Sequence, residues 1–187
     1  MKILYLGPKS KILNILQQSY NVTQTEEKVN DLSPYEWVIS YGYRHILKKE
    51  NIESAKNSII NLHISLLPYN RGADPNYWSW VEDTPKGVTI HKIDEGIDTG
   101  DIFIQKQVEF NNNETLSSSY NKLKTEIETL FINCFEDIFN GKLKCIPQKG
   151  KGTIHYTKDF PGVKSWDITV NQLKNERPRN NRRSRKS

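Results

Sequence analysis

Apolar residues open the chain in three short runs, "KILYLG" (residues 2–7), "EWVISYG" (36–42) and "SIINLH" (58–63), each ended by glycine or a polar residue. Runs this short, rich in Ile and Val and stopped by turn formers, read as buried parallel strands. Between the first two, "SKILNILQQSY" sets Ile12, Leu13, Ile15 and Leu16 at helical spacing, and "HILKKENIESA" after the second holds a helical turn or two. Strand, helix, strand, short helix, strand is the pattern of an α/β sheet. "PNYWSWVED" then starts with Pro75 where the first turn of a helix tolerates it. "GVTIHKID" and "DIFIQKQVEF" alternate apolar and polar positions as two further strands, joined by the turn-rich "EGIDTG". Leu116, Tyr120, Leu123, Ile127, Leu130, Cys134 and Ile138 mark one face of a long amphipathic helix that Gly141 ends.

With 187 residues, 35% of them hydrophobic, the chain supports one core. The pattern divides it into a main domain at 1–142, an extension at 143–172 and a disordered basic tail at 173–187. In the extension, Ile154, Tyr156, Phe160 and Trp166 are the expected anchors, packing it on the core or at a dimer contact. The net charge of +5 belongs to the tail: "KNERPRNNRRSRKS" holds seven Lys/Arg against one Glu, which leaves the body at about −1. The body therefore does not read as a nucleic-acid binder, and the tail is either solvated or an arm for RNA or another anionic surface. The apolar runs fall short of the roughly 20 residues a membrane span needs, and the opening segment reads as a strand rather than a secretory leader. Cys134 and Cys145 lack CxxC spacing and read as reduced thiols, so a cytoplasmic location is expected.

Ligands of open α/β sheets bind beyond the carboxyl ends of the strands. Asn61 and His63 occupy that end of the third run, and Asp98 and Asp101 lie in the turn between the two later strands. An amide and a protonated imidazole can donate to an oxyanion, while a carboxylate raises the imidazole pKa and can accept a proton from an amine. Such a set suits acyl transfer without a covalent nucleophile. The same residues also fit a structural histidine and a turn-forming aspartate, and residue types alone leave both readings standing. The chain has no GxSxG, P-loop, GxGxxG or HExxH motif, and His45, His63, His91 and His155 show no metal-ligand spacing.

"NLHISLLPYNRGADP" followed by "TPKGVTIHKIDEGIDTGDIFIQKQV" resembles the folate-dependent formyltransferase family, in which a strand ends in Asn-x-His-x-Ser-Leu-Leu-Pro and a later acidic turn supplies an aspartate. The likeness runs from about Trp37 to Phe110 and more weakly through the long helix. It implies a Rossmann-like, open, twisted, mainly parallel sheet flanked by helices. It implies a catalytic triad of Asn61, His63 and Asp98 acting on 10-formyltetrahydrofolate as co-substrate, with no metal. His63 and Asn61 would then steady the oxyanion formed as an amine attacks the formyl carbon. Asp98 would hold His63 charged and pass the amine's proton towards the departing folate nitrogen. The resemblance also places His45, Ile46 and Leu47 with Asp94, Glu95, Gly96 and Ile97 at the folate; for Ile46 and Leu47 plain core packing is the competing reading.

Within that family, "RGADPNYWS" with "TPKGVTIH" looks most like the sugar-nucleotide N-formyltransferases. The substrate implied is a nucleotide-linked amino-dideoxy sugar, with Arg71, Asp74, Asn76 and Trp80 as contacts, and the setting implied is lipopolysaccharide O-antigen biosynthesis. Tyr77, Trp78 and Trp80 offer flat surface for a sugar or base, although one of the two tryptophans is expected in the core. The region before Trp37 leaves room for about one βα unit. Methionyl-tRNA as the amine, with the Arg-rich tail taking part, and a non-catalytic folate-binding homologue are the alternatives. The chain shows no counterpart of the C-terminal domain with which the tRNA enzyme engages its substrate.

Overall fold

The computed structural model describes residues 1–111 and 113–175. The elements run β1 (Lys2–Leu6), α1 (Lys11–Ser19), β2 (Asn21–Thr25), β3 (Trp37–Ser40), α2 (Lys49–Ser54), β4 (Ile60–His63), β5 (Arg71–Gly72), α3 (Pro75–Val81), β6 (Gly87–Lys92), β7 (Ile102–Gln107), α4 (Leu116–Phe139), β8 (Ile154–His155) and α5 (Val170–Asn175). Six strands form one open sheet in the order β2-β1-β3-β4-β6-β7, and β5 pairs with β8 in a small second sheet. β2, β1, β3 and β4 are mutually parallel, while β6 and β7 add on antiparallel. This is the α/β sheet that the apolar runs predict, Rossmann-like and mainly parallel as the family resemblance implies.

Alternation along the strands builds a layer on each face. Ile3 and Tyr5 of β1, with Ile39, Ile60, Leu62, Val88 and Ile90, pack against Ile12, Leu13 and Leu16 of α1 and the buried stripe of α4. Leu4 and Leu6 point the other way and meet Leu32, Val38, Leu47 and Ile59. Because Ile60 and Leu62 face α4, Asn61 and His63 between and after them project from the opposite face.

β2 is a strand that the sequence pattern does not announce. "NVTQT" holds one aliphatic residue because β2 is a sheet edge with only intermediate burial, so backbone pairing with β1 rather than apolar contact defines it. The segment before Trp37 is consequently a complete βαβ unit, one strand more than the expected βα.

The stripe of α4 also differs from expectation. Leu116, Ser119, Leu123, Ile127, Phe131, Cys134, Phe135 and Ile138 are buried, whereas Tyr120 is exposed and Leu130 only half-buried. Each large apolar side chain here contributes about 1.5–3 kcal/mol by leaving water. Phe131→Ala would cost about 3–5 kcal/mol. Thr115 Oγ1 accepts from the Ser118 N–H at 3.0 Å, and the N–H groups of Leu116 and Ser117 donate to the carbonyls of Ile168 and Trp166, so the helix start has no orphan donor in its first turn. At the other end Gly141, at φ +68°, donates to Ile138 while Lys142 donates to Asp137, a Schellman stop.

The extension runs back over the loops at the sheet's carboxyl edge. Ile146 exchanges backbone hydrogen bonds with Ile102, Thr153 bonds to Asn70, Arg71 and Pro68, and β8 lies along β5. Of the four expected anchors, Phe160 is partly buried against Tyr77, but Ile154, Tyr156 and Trp166 are exposed. The period-two alternation of β8 turns His155 inward and leaves Ile154 and Tyr156 outward. The expected start of the tail at Leu173 is likewise corrected, since Val170 and Leu173 of α5 are buried against α3 and Leu116. The rest of the tail, 176–187, lies outside the described residues.

Candidate active site

β4 and β6 pair with Asn61 opposite His91 and His63 opposite Thr89, so four polar side chains share one sheet face at the end of β4. Thr89 pins the chain beyond the strand: its Oγ1 donates to the Ser65 carbonyl at 2.7 Å and accepts from the Leu67 N–H at 3.1 Å. The loop then returns through a cis Leu67–Pro68 peptide to Asn70, whose φ of +55° turns its carbonyl onto His63.

Asp98 stands at the centre. Its Oδ1 accepts from the Asn61 Nδ2 at 3.2 Å and lies 3.4 Å from the His91 Nε2; its Oδ2 accepts from the Gly72 N–H at 2.8 Å and lies 3.6 Å from the His63 Nδ1. Gly72 has to be glycine for this contact: its φ is +86° and a Cβ there would sit 2.1 Å from the His155 carbonyl oxygen. Burial alone would raise the Asp98 pKa. His63 and His91 when protonated, together with the Gly72 N–H, outweigh it and hold the carboxyl well below the usual range.

Partners fix the proton positions on both imidazoles. His63 Nε2 faces the Asn70 carbonyl at 3.0 Å and His91 Nδ1 faces the Lys92 carbonyl at 2.6 Å, so each of these nitrogens carries the hydrogen. His91 Nε2 then offers its lone pair to the second Asn61 N–H at 3.1 Å. Burial depresses the His63 pKa, with His91 adding to it, against the opposing pull of Asp98 and Asn70. Burial thus favours the neutral form of His63, against the charged form that the family resemblance implies, and its Nε2–H is engaged by Asn70.

Asn61, His63, Gly72 and Asp98 line a cleft of about 280 Å³ at the carboxyl edge, walled by Tyr41, Gly42 and Tyr43 beyond β3, by Pro75 of α3 and by Tyr120 and Lys124 of α4, with His91 buried behind them. Asn61, His63 and Asp98 are thus brought together, as expected. None of the expected folate residues lines this cleft, although His45 adjoins Tyr43 and Ile97 adjoins Gly72 at its wall. His45 is exposed with its ring edge-on to Tyr43, Ile46 is 79% exposed, and Leu47 is buried in the core beside Ile59. Asp94 accepts from Gly96 and Thr99, and Glu95 pairs at the surface with Lys49 at the start of α2, at 3.0 Å.

Among the expected substrate contacts, Asn76 and Trp80 are corrected. Asn76 is 3% exposed and bonds to the Leu116 carbonyl and Ser119, and Trp80 is 6% exposed and donates to Ser119 at 3.1 Å. Both join α3 to α4 because α3 is too short to bury its aromatics alone. Arg71 directs its guanidinium at Gln148, and Asp74, half-buried at the start of α3, has its carboxyl pKa raised by burial. Trp78 stacks on His155 at 3.9 Å. His91, Gly72 and Asn70 escaped the sequence reading; for His91 the available signal was its place in an alternating strand, which puts it on the same face as Thr89.

A cleft at this edge, lined by an amide, an imidazole and a carboxylate with a second imidazole behind them, lies where open α/β sheets bind their ligands. Comparison with known proteins supplies the class: the chain belongs to the formyl transferase family, whose family model matches residues 10–134. It is similar to the formyltransferase PseJ from Anoxybacillus kamchatkensis, solved in complex with UDP-4,6-dideoxy-4-formamido-L-AltNAc and tetrahydrofolate. That likeness has 43% identity and a TM-score of 0.86, over 92% of this chain and 97% of that one. A methionyl-tRNA formyltransferase from Thermodesulfovibrio yellowstonii is 34% identical over 151 residues, 80% of this chain and 49% of its own. The chain spans about half the length of the curated relatives it matches. A 4-N formyltransferase from Francisella tularensis, at 24% identity and a TM-score of 0.77 over 92% of this chain and 85% of that one, shares the fold. Among the described residues no cluster of His, Cys, Asp or Glu could hold a metal ion, and no helix is long and apolar enough to cross a membrane.

Proposed function

We propose that this protein transfers the formyl group of 10-formyltetrahydrofolate to the amine on C4 of a UDP-linked amino-dideoxy sugar. The observation that carries the reading is the convergence of Asn61, His63 and Asp98 at one cleft in a chain 43% identical to an enzyme solved with a UDP-linked 4-formamido sugar and tetrahydrofolate.

The amine attacks the formyl carbon and the carbonyl oxygen takes up negative charge. Asn61 is the candidate donor to that oxygen. Its N–H on Asp98 is long at 3.2 Å and is exchanged for the substrate oxygen, while the N–H on His91 keeps the amide in place. The amine's proton passes to the free Nδ1 of His63, and the ionised Asp98, 3.6 Å away, offsets the imidazolium as it forms. Return of that proton to the folate nitrogen as its bond to the formyl carbon breaks releases tetrahydrofolate and leaves the formamide. A neutral His63 fits this role of base and shuttle better than that of a standing oxyanion donor.

The 1–142 region serves as the catalytic domain, with 143–172 laid over its site loops. A cytoplasmic setting, a place in O-antigen assembly and a homodimer belong to the same proposal. A second reading, methionyl-tRNA as the amine, is favoured by the names of the curated relatives. Tetrahydrofolate release tested with UDP- and dTDP-linked amino sugars and with methionyl-tRNA, using His63→Ala as the blank, separates the two. Turnover with a 4-amino sugar nucleotide that the blank lacks is the expected result; turnover with tRNA alone overturns the sugar reading.

A further inference from the structure

Gln148 lies in the extension, beyond the motifs that mark the family, yet its carboxamide is fully engaged at the edge of the site. Nε2 donates to the carbonyl oxygens of Asp98 at 2.8 Å and Gly100 at 2.9 Å, and Oε1 accepts from Nη2 and Nε of Arg71 at 2.6 and 3.2 Å. A carboxamide has two N–H groups and two acceptor lone pairs, so nothing is left over. The orientation is unique as well, since two carbonyls on one side need donors and a guanidinium on the other needs acceptors.

The pieces that Gln148 joins are the two that set Asp98. One is the turn that carries the aspartate. The other is β5, where Gly72, next to Arg71, donates its N–H to Asp98 Oδ2. Asp98 has a φ of +51°, a left-handed conformation that a residue other than glycine keeps when its surroundings impose it. Asp94 ties the start of the turn through Gly96 and Thr99, but it does not reach the peptide of Asp98.

We infer that Gln148 is a positioning residue, clamping the turn at 95–100 to β5 and so fixing the Asp98 carboxylate against His63; the inference rests on the formyl-transfer reading of the site. Gln148 does not line the cleft. What changes is the distance and angle of the carboxylate, and a misplacement of about 1 Å can cost on the order of a hundredfold in rate.

The test is Gln148→Met, of similar length and unable to make these bonds, compared with wild type and Asp98→Asn. The His63 ring is titrated by 15N NMR, and kcat and both KM values are measured alongside. Expected are a His63 titration moved down towards that of Asp98→Asn, a kcat lowered on the order of 10–100-fold and KM values within about threefold. A folded Gln148→Met with wild-type titration and wild-type kcat overturns the inference. If Asp98→Asn turns over like wild type, the formyl-transfer role of Asp98 fails, while the titration in Gln148→Met still decides whether Gln148 sets the carboxylate. Should Gln148→Met not fold, Arg71→Met releases the other side of the clamp; the same downward shift supports the inference and an unmoved titration overturns it.

Discussion

Asp98→Asn removes one charge at the point where four neighbours, Asn61, His63, Gly72 and His91, converge. The imidazolium proposed to form on His63 sits 3.6 Å from Asp98 Oδ2, with the two side chains 8% and 14% exposed. At an effective dielectric near 20, that pair is worth about 4–5 kcal/mol. If the stabilisation is expressed in the transition state, its loss lowers kcat on the order of a thousandfold. Asparagine can still accept the Gly72 N–H, but its own amide would then oppose the Asn61 donor, so relief from that side is small. The assay is the initial rate of tetrahydrofolate release at saturating concentrations of both substrates, with folate binding measured by calorimetry. Folate affinity should stay within about threefold of wild type, because the loss is confined to the transition state. A kcat within about fivefold of wild type in a folded, folate-binding variant would refute the electrostatic account of the His63–Asp98 pair.

The remaining expectations concern other parts of the same network. Because burial depresses the His63 pKa, its base form should predominate at neutral pH, so kcat/KM should hold level above about 7 and fall only below the ordinary imidazole range near 6.5. A rate that instead falls as pH rises through that range means the imidazolium is the working form. The depressed pKa of Asp98 gives stability that is present above the ordinary carboxylate range and lost as pH drops towards its folded value, so acid unfolding of Asp98→Asn should lack that component. Asn76→Ala removes the two side-chain hydrogen bonds that tie α3 to the Leu116 carbonyl and Ser119; urea unfolding should show a loss of about 1–3 kcal/mol with the sugar-nucleotide KM unchanged. Gly72→Ala forces a Cβ onto the His155 carbonyl and should lower kcat together with thermal stability, and a variant with wild-type values would show that β5 can shift without disturbing Asp98.

What the sequence revealed and what it hid divide along physical lines. β4 was legible because a buried parallel strand is a continuous apolar run, and the polar pair at its end stands out against it. α4 was legible in period but not in phase: Ser119 and Tyr120 are adjacent, and only the hydrogen bonds of Ser119 with Asn76 and Trp80 decide that the small residue turns inward. β2 was invisible because an edge strand is held by backbone pairing, which leaves no side-chain signature. Within the site, Asn61, His63 and Asp98 announced themselves through motifs. His91 did not, because its role comes from lying across from Asn61 in an antiparallel pair, a relation absent from the linear pattern. Gln148 was hidden more deeply, since its partners lie 50 and 77 residues away.

The same separations impose an order on biosynthesis. As the chain leaves the ribosome, the parallel core of the sheet can assemble well before the bonds from Gln148 to Asp98, 50 residues apart, or from Thr153 to Asn70, 83 residues apart, become available. At roughly 10 residues per second, several seconds pass between the emergence of the Asp98 turn and that of its clamp. A nascent chain in that interval has the triad in its sequence but no clamped carboxylate, so it should consume formyl donor far more slowly than the finished chain. Chains halted before Gln148 should carry a folded sheet and a weakened site, and measuring turnover on stalled ribosome complexes of increasing length would locate the residue at which activity rises.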